Sequence, residues 1–165
     1  MPYLLRSIRK GRWLPQSFPS YKEEAFQADC FGDLNTSGNI LSLWELQDDF
    51  SNLDQVIVAL ASGRDYLANV DFAVIPHDSV SQCGVLKKTK GSSPYLAANE
   101  DWHFHLTEIS ISRLTKLAEA ICASERKRIG QKRVEALLQR AFIDKLIDIS
   151  VMKDSLRQKV VNAVR

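Results

Sequence analysis

Between Ile40 and Ile75 the apolar positions change period twice. Ile40, Leu41, Leu43, Trp44 and Leu46 make a mostly apolar run, entered through the turn-forming Asn35-Thr36-Ser37-Gly38-Asn39, and read as a strand. Leu53, Val56, Ile57, Leu60 and Ala61 then fall at i, i+3, i+4, i+7 and i+8, the spacing of one helical face. Asn52 stands at the expected N-cap, and Gly63 at the expected left-handed position past the last turn. Val70 to Ile75 forms a second strand that stops at Pro76, which has no N–H to give a ladder. This strand–helix–strand unit over 40–75 fits a right-handed crossover between parallel strands, with an antiparallel return as the alternative.

The same reading extends to both ends of the chain. Tyr3 to Ile8 is a first strand. Lys10 to Ser20 holds Pro15 and Pro19 and is a connection that Trp13 and Phe18 clip onto the core. Tyr21, Ala25 and Ala28 at i, i+4 and i+7, widened by Phe26 and Cys30, predict a helix over 21–33. Beyond Pro76, Val80 and Val85-Leu86 are short strand signals, and Lys87 to Pro94 is an exposed turn. Trp102, Phe104 and Leu106 alternate with His103, His105 and Thr107, as on a half-buried strand.

From Ser110 the pattern is helical throughout. Ile111, Leu114, Leu117, Ala118, Ile121 and Cys122 form one apolar stripe, capped by Ser110 and broken at Gly130. Val134, Leu137, Leu138, Ala141, Phe142 and Leu146 form a second. Met152, Leu156, Val160 and Val164 form a third, with Ser150 as its cap. The predicted fold class is therefore α+β. A small mixed sheet of about three to five strands carries the unit at 40–75, and a C-terminal bundle of about three helices follows. The chain is one domain over 1–165, with an α+β part at 1–109 and a helical part at 110–165 sharing its core. The last helix either packs back on its own chain or meets its counterpart in a homodimer, the arrangement the width of its stripe favours.

Composition narrows the class of protein. A hydrophobic content of 45% with 25% charged residues is that of a globular chain with a core. Cys30, Cys83 and Cys122 lie far apart with no CxxC, so neither a zinc knuckle nor a redox pair is indicated. The only apolar run before Trp13 is Tyr3-Leu4-Leu5, short for a signal peptide, and no window approaches a membrane span. A cytoplasmic location without membrane association is the expectation. The net charge of +2 is segregated: +4 over residues 1–20, −9 over 21–80 and +7 over 81–165. Such blocks either attract one another within one domain or set up a field that selects a charged partner.

Candidate chemistry rests on few residues. His103 and His105 are two apart, so on a strand both imidazoles project from one face. With His77 at a strand end they would make a three-nitrogen site for a divalent metal, completed by Asp78 or Asp101. His77-Asp78-Ser79 and His105-Leu106-Thr107 each read His-x-Ser/Thr, which resembles the paired motif of the 2H phosphoesterases. The resemblance implies that His77 and His105 act as acid and base while Thr107 holds a phosphate across a cleft. Only 28 positions separate the two histidines, fewer than that family's intervening half-domain. Arg126, Lys127, Arg128, Lys132 and Arg133 surround Gly130 and form a candidate nucleic-acid contact of sequence-independent type. No phosphate loop and no Gly-x-Ser-x-Gly occurs.

These features favour a non-catalytic protein-binding module without a cofactor, whose acidic block docks or neutralises a basic partner. Immunity and antitoxin-like proteins work in that way, which is an analogy of type rather than of residues. A metal-dependent hydrolase or phosphodiesterase built on His77, His103 and His105 is the alternative.

Overall fold

The computed structural model describes residues 2–18, 20 and 23–162. Its strands are β1 (Tyr3–Ser7), β2 (Pro15–Phe18), β3 (Glu23–Phe26), β4 (Leu41–Leu46), β5 (Val70–Pro76), β6 (Val85–Lys88), β7 (His103–Thr107) and β8 (Glu125–Ile129). Its α-helices are α1 (Leu53–Ser62), α2 (His77–Ser81), α3 (Leu96–Asp101), α4 (Ile111–Ala123), α5 (Gln131–Ile143) and α6 (Asp154–Asn162). Short 3-10 helices cover Lys10–Trp13, Ala28–Asp33 and Ile149–Val151.

Six strands form one sheet in the order β6-β7-β4-β1-β5-β8, antiparallel at every junction. β2 and β3 pair separately as a two-stranded ribbon. Both faces of the large sheet are covered, which is why its central strands read as near-continuous apolar runs. On β1, Leu5 faces one core and Leu4 the other, and neither is exposed. On β4, Trp44 and Leu46 join the core under α1, α3, α5 and α6, while Leu41 and Leu43 join the core under α2 and α4.

The α+β class stands, but the predicted sheet and bundle do not. The sheet has six strands rather than about three to five, it is antiparallel rather than mixed, and helices are distributed along the chain. The C-terminal bundle is replaced by helices on opposite faces. Leu117 and Ile121 of α4 pack in one core, whereas Val134 and Leu138 of α5 and Leu156 and Val160 of α6 pack in the other. The chain reaches the second face by way of β8, a strand made of Glu125, Arg126, Lys127, Arg128 and Ile129. Its charges hide it from any hydrophobic period. They suit it nonetheless, since Arg128 sits opposite Asp71 on β5 and holds its carboxylate with two bonds of 2.6 and 2.8 Å.

The unit at 40–75 is present with one difference. β4 and β5 run in the same direction, but both pair with β1, which lies between them. Helix α1 therefore crosses over a strand that the chain had laid down first. Asn52 occupies the N-cap position without capping. Its buried amide accepts from the Gln47 N–H at 2.9 Å and donates to the Glu45 carbonyl at 3.0 Å, closing the turn out of β4. Gly63 has φ −81 and is right-handed, not left-handed.

Other local expectations divide in the same manner. Over 21–33 the described residues form β3 and a 3-10 helix rather than one α-helix, because Cys30 and, just beyond, Leu34 are drawn into the second core. Tyr21 and Lys22 lie outside the described residues. Val80 belongs to α2 and not to a strand. Lys87 and Lys88 extend β6, and the segment after them is stapled by buried Asn99, which bonds Ser93 three times at 2.7 to 3.1 Å. Ser110 caps α4 as expected, accepting from the Arg113 N–H at 3.3 Å. Ser150 does not cap the last helix: it lies in the 3-10 helix Ile149–Val151, which Asp148 caps by accepting from the Ser150 N–H, and α6 begins only at Asp154. Met152, Leu156 and Val160 are buried within the chain, so α6 docks on its own protomer; Val164 lies outside the described residues.

The charge blocks pair largely with each other. Asp33 of the acidic block takes the Arg9 N–H, the Trp13 indole N–H and Arg12 from the basic start. Asp71 takes the Lys10 N–H and Arg128, and Asp54 takes Arg133. Opposite blocks thus fold onto one another, which accounts for much of the segregation without any partner.

Candidate functional site

The three histidines do not converge. His77 opens α2 at the end of β5, and β5 is separated from β7 by β1 and β4. Three strand spacings place it about 14 Å or more from His103 and His105, whereas ligands of one zinc ion all lie about 2 Å from the metal. Among the described residues no group of three or more His, Cys, Asp or Glu side chains is placed to hold a metal ion. The two His-x-Ser/Thr tripeptides also lie on opposite faces. Val80 of α2 packs in the core with Leu4, while His103 packs against Trp44 in the core with Leu5. His105 shares the His103 face, with ring centroids 5.0 Å apart, and Thr107 donates to the Val85 carbonyl at 3.2 Å. No cleft joins the pair.

His103 is a structural imidazole. It is 5% exposed, stands edge-on to Trp44 at 5.0 Å, and Nδ1 lies 3.1 Å from Thr89 Oγ1 and 3.3 Å from the Thr89 carbonyl. Gly91 passes so close that an added methyl would lie 3.1 Å from the His103 ring and closer still to the Asn99 amide. Burial pushes the His103 pKa down, the Thr89 carbonyl opposes it, and His105 adds to the depression. A folded-state pKa below the unfolded one makes neutral His103 stabilising above about pH 6.5. That contribution is lost as pH falls from there through the folded pKa. Urea denaturation across this window should show the wild type weakening as acid is added. His103→Gln, uncharged throughout, should flatten that dependence while lowering stability at neutral pH. An unchanged slope in the variant would remove His103 as the cause.

The basic candidates are engaged in the fold to different degrees. Arg126 donates to the Ile121, Cys122 and Ser124 carbonyls at the end of α4, and its guanidinium lies 5.3 Å from the Phe26 ring centroid. Lys127 sits over Phe50 and pairs with Glu125. Arg128 holds Asp71 and Arg133 holds Asp54. Lys132, exposed in the first turn of α5, has no bonded partner among the described residues. A phosphate backbone would therefore have to compete with internal partners at four of the five positions.

A different feature stands out between the 3-10 helix Ala28–Asp33 and α4. It is an open apolar groove of about 650 Å³, walled by Phe26 and Phe31 on one side and by Ala118, Cys122 and Ala123 on the other. Small residues on α4 make the trough and the two phenylalanines make its bank. Glu119 lines the groove and Asp29 is exposed between the lining residues Ala28 and Cys30, while the Arg126 guanidinium stands over Phe26. Cys30 and Cys122 both open onto this groove and are free thiols. Burial, then the neighbouring Asp33, pushes the Cys30 pKa up; burial, then Cys30, does the same to Cys122. Thiols held protonated are poor nucleophiles.

The sequence pattern passed over this groove. By spacing, Phe26 and Cys30 read as a helical stripe, and Ala118 and Cys122 as the ordinary core face of α4. The available signal was that α4 carries small residues where a fully packed helix carries Leu. Among the described residues no helix is long and apolar enough to cross a membrane. No protein-family model, curated protein or solved structure matches the chain.

Proposed function

We propose that this protein is a non-catalytic binding module that receives a basic, amphipathic segment of another protein in the groove between Ala28–Asp33 and α4. The observation that carries this reading is the groove itself, apolar along its floor with Glu119 in its wall and exposed Asp29 beside it. Large side chains on one face of a partner helix would enter beside Phe31 and Ala118, and lysines or arginines flanking them would meet Asp29 and Glu119. The hydrolase alternative loses its support, because the imidazoles it requires lie apart on the sheet and no metal cluster occurs among the described residues.

A synthetic helix patterned with Leu and Lys tests the proposal directly, with a Leu and Glu helix of the same pattern as control. Calorimetry should show the Leu/Lys helix binding the full chain and the Leu/Glu helix failing to bind. Ala118→Glu, which fills the trough with a charged side chain, should weaken binding by about tenfold or more, a loss of about 1.4 kcal/mol. Equal binding of both helices, or binding that Ala118→Glu leaves unchanged, would overturn the groove as the docking site.

A further inference from the structure

At the end of the sheet where β1 finishes and β5 begins lies a polar cavity of about 470 Å³. Its walls include Ser7, Arg9, Arg64, Tyr66, Asn69 and Asp71. It lies on the loop side of the fold, formed by the turn after α1 and the segment that leads into β5. The turn is fixed from both directions. Asn69 Oδ1 accepts the first N–H of α5, from Gln131, at 2.8 Å, and Ser155 of α6 donates to the Asp65 carbonyl.

Two of the three carboxylates in the wall, Asp71 and Asp33, are already satisfied. Asp71 holds the Arg128 guanidinium and the Lys10 N–H; the bond from Arg128, chiefly, keeps its pKa low. Asp33, also on the wall, holds Arg12, the Arg9 N–H and the Trp13 indole. Arg12 and Arg128 thus offset these two acids, and Arg9 also lies 3.9 Å from Asp33, which leaves Arg64 and Asp65 as the lining charges without an ion pair among the described residues.

Arg64 has N–H donors open to this cavity, and Asp71 is the acid whose charge acts on it. Its Nη1 donates to the Asn69 carbonyl at 2.7 Å and its Nη2 lies 3.5 Å from Ser7 Oγ, at the limit of a hydrogen bond. The remaining N–H donors of this fork have no protein acceptor among the described residues, although burial is strong enough to push its pKa down. A half-buried guanidinium with open donors facing a cavity is a site for an oxyanion. Tyr66 completes the picture. Its ring is 67% exposed, it lines the same cavity, and it is close enough to act on the charge of Arg64. An aromatic ring left in solvent beside an under-bonded arginine offers a stacking surface next to an anion clamp.

The geometry points to this cavity as a binding site for a small phosphate monoester carrying a planar ring, of the size of a nucleoside monophosphate. The phosphate lies on Arg64, with Arg9 at the mouth, and the ring lies on Tyr66. The site is remote from the apolar groove in its lining residues and does not depend on the docking reading.

Calorimetry and thermal unfolding of the full chain, with adenosine monophosphate, inorganic phosphate and adenosine as probes at matched ionic strength, test it. Adenosine monophosphate should bind and raise the melting temperature, inorganic phosphate should bind more weakly, and adenosine should bind least. Arg64→Met should weaken the nucleotide by about tenfold or more. Tyr66→Ala, a change at an exposed position, should abolish the preference for nucleotide over inorganic phosphate and leave the fold intact. No binding of either phosphate by the wild type would overturn the site, as would nucleotide binding undiminished in Arg64→Met. Should Arg64→Met fail to fold, Tyr66→Ala decides: a nucleotide preference retained there would overturn the assignment.

Discussion

Replacing Trp13 by alanine is expected to destabilise the protein by about 3–5 kcal/mol. Trp13 lies at the end of a short 3-10 helix in the connection after β1 and is fully buried, clipping that connection onto the core as its sequence position suggests. It packs in the core with Leu4, Leu34, Ala73 and Ile121, and its indole N–H donates to Asp33 Oδ2 at 2.9 Å. Alanine would leave a cavity at the point where the first connection, the Ala28–Asp33 segment and α4 meet. Equilibrium unfolding in urea measures the loss directly. A change below about 1 kcal/mol would mean that the connection is not docked as described. Trp13→Phe removes the N–H and the five-membered ring but keeps a six-membered ring in the site, so its loss should be smaller than that of Trp13→Ala.

Asp33→Ala is the second large effect, at about 2–4 kcal/mol, because it leaves the Trp13 N–H and the Arg9 N–H without their acceptor. Arg6, Arg9 and Arg12 would then lie together with less compensation. Arg6 already has one buried nitrogen, Nε, without a partner, and its other donors go to the Ser42 and Asp33 carbonyls. Asp33→Asn keeps an acceptor and removes the charge, and is expected to lie between the wild type and Asp33→Ala. If chemical denaturation places Asp33→Asn level with the wild type, charge plays no part and the carboxylate serves only as an acceptor. Trp13→Phe combined with Asp33→Ala should cost less than the sum of the single changes, since both remove the same hydrogen bond.

Both predictions fall on a region that hydrophobic periodicity described poorly, and the reason is physical. A period reports which face of an element is dry and says nothing of what dries it. Leu53 to Ala61 and Ile111 to Cys122 were legible as helices because one layer covers them and one face stays wet. The partner layers were not legible. The stripes on α4, α5 and α6 look alike in sequence, yet α4 faces away from the other two across the sheet. β8 was invisible because its side chains serve cross-strand and capping bonds rather than burial. The helix predicted over 21–33 failed for the converse reason: Phe26 and Cys30 are spaced for a helix but are placed by contacts distant in sequence. Of the candidate chemistry, the histidine pair on β7 was legible from its spacing of two. The position of His77 was not, because strand order is a property of the whole chain. Arg64 gave no sequence signal, since an arginine after a helix is ordinarily solvated.

The two outermost strands of the large sheet, β6 and β8, have a consequence of their own. One ends in Lys87-Lys88 and the other runs Arg126-Lys127-Arg128, so both open borders of the sheet are cationic. An exposed border is a template for another chain to add a strand, and fibrils grow by that route. Here two copies meeting border to border would bring rows of like charge within one strand spacing, and the desolvation of those lysines and arginines would oppose the contact. The same repulsion excludes recognition by strand addition for any partner that is itself basic. A basic partner must come to a face, where the acids are.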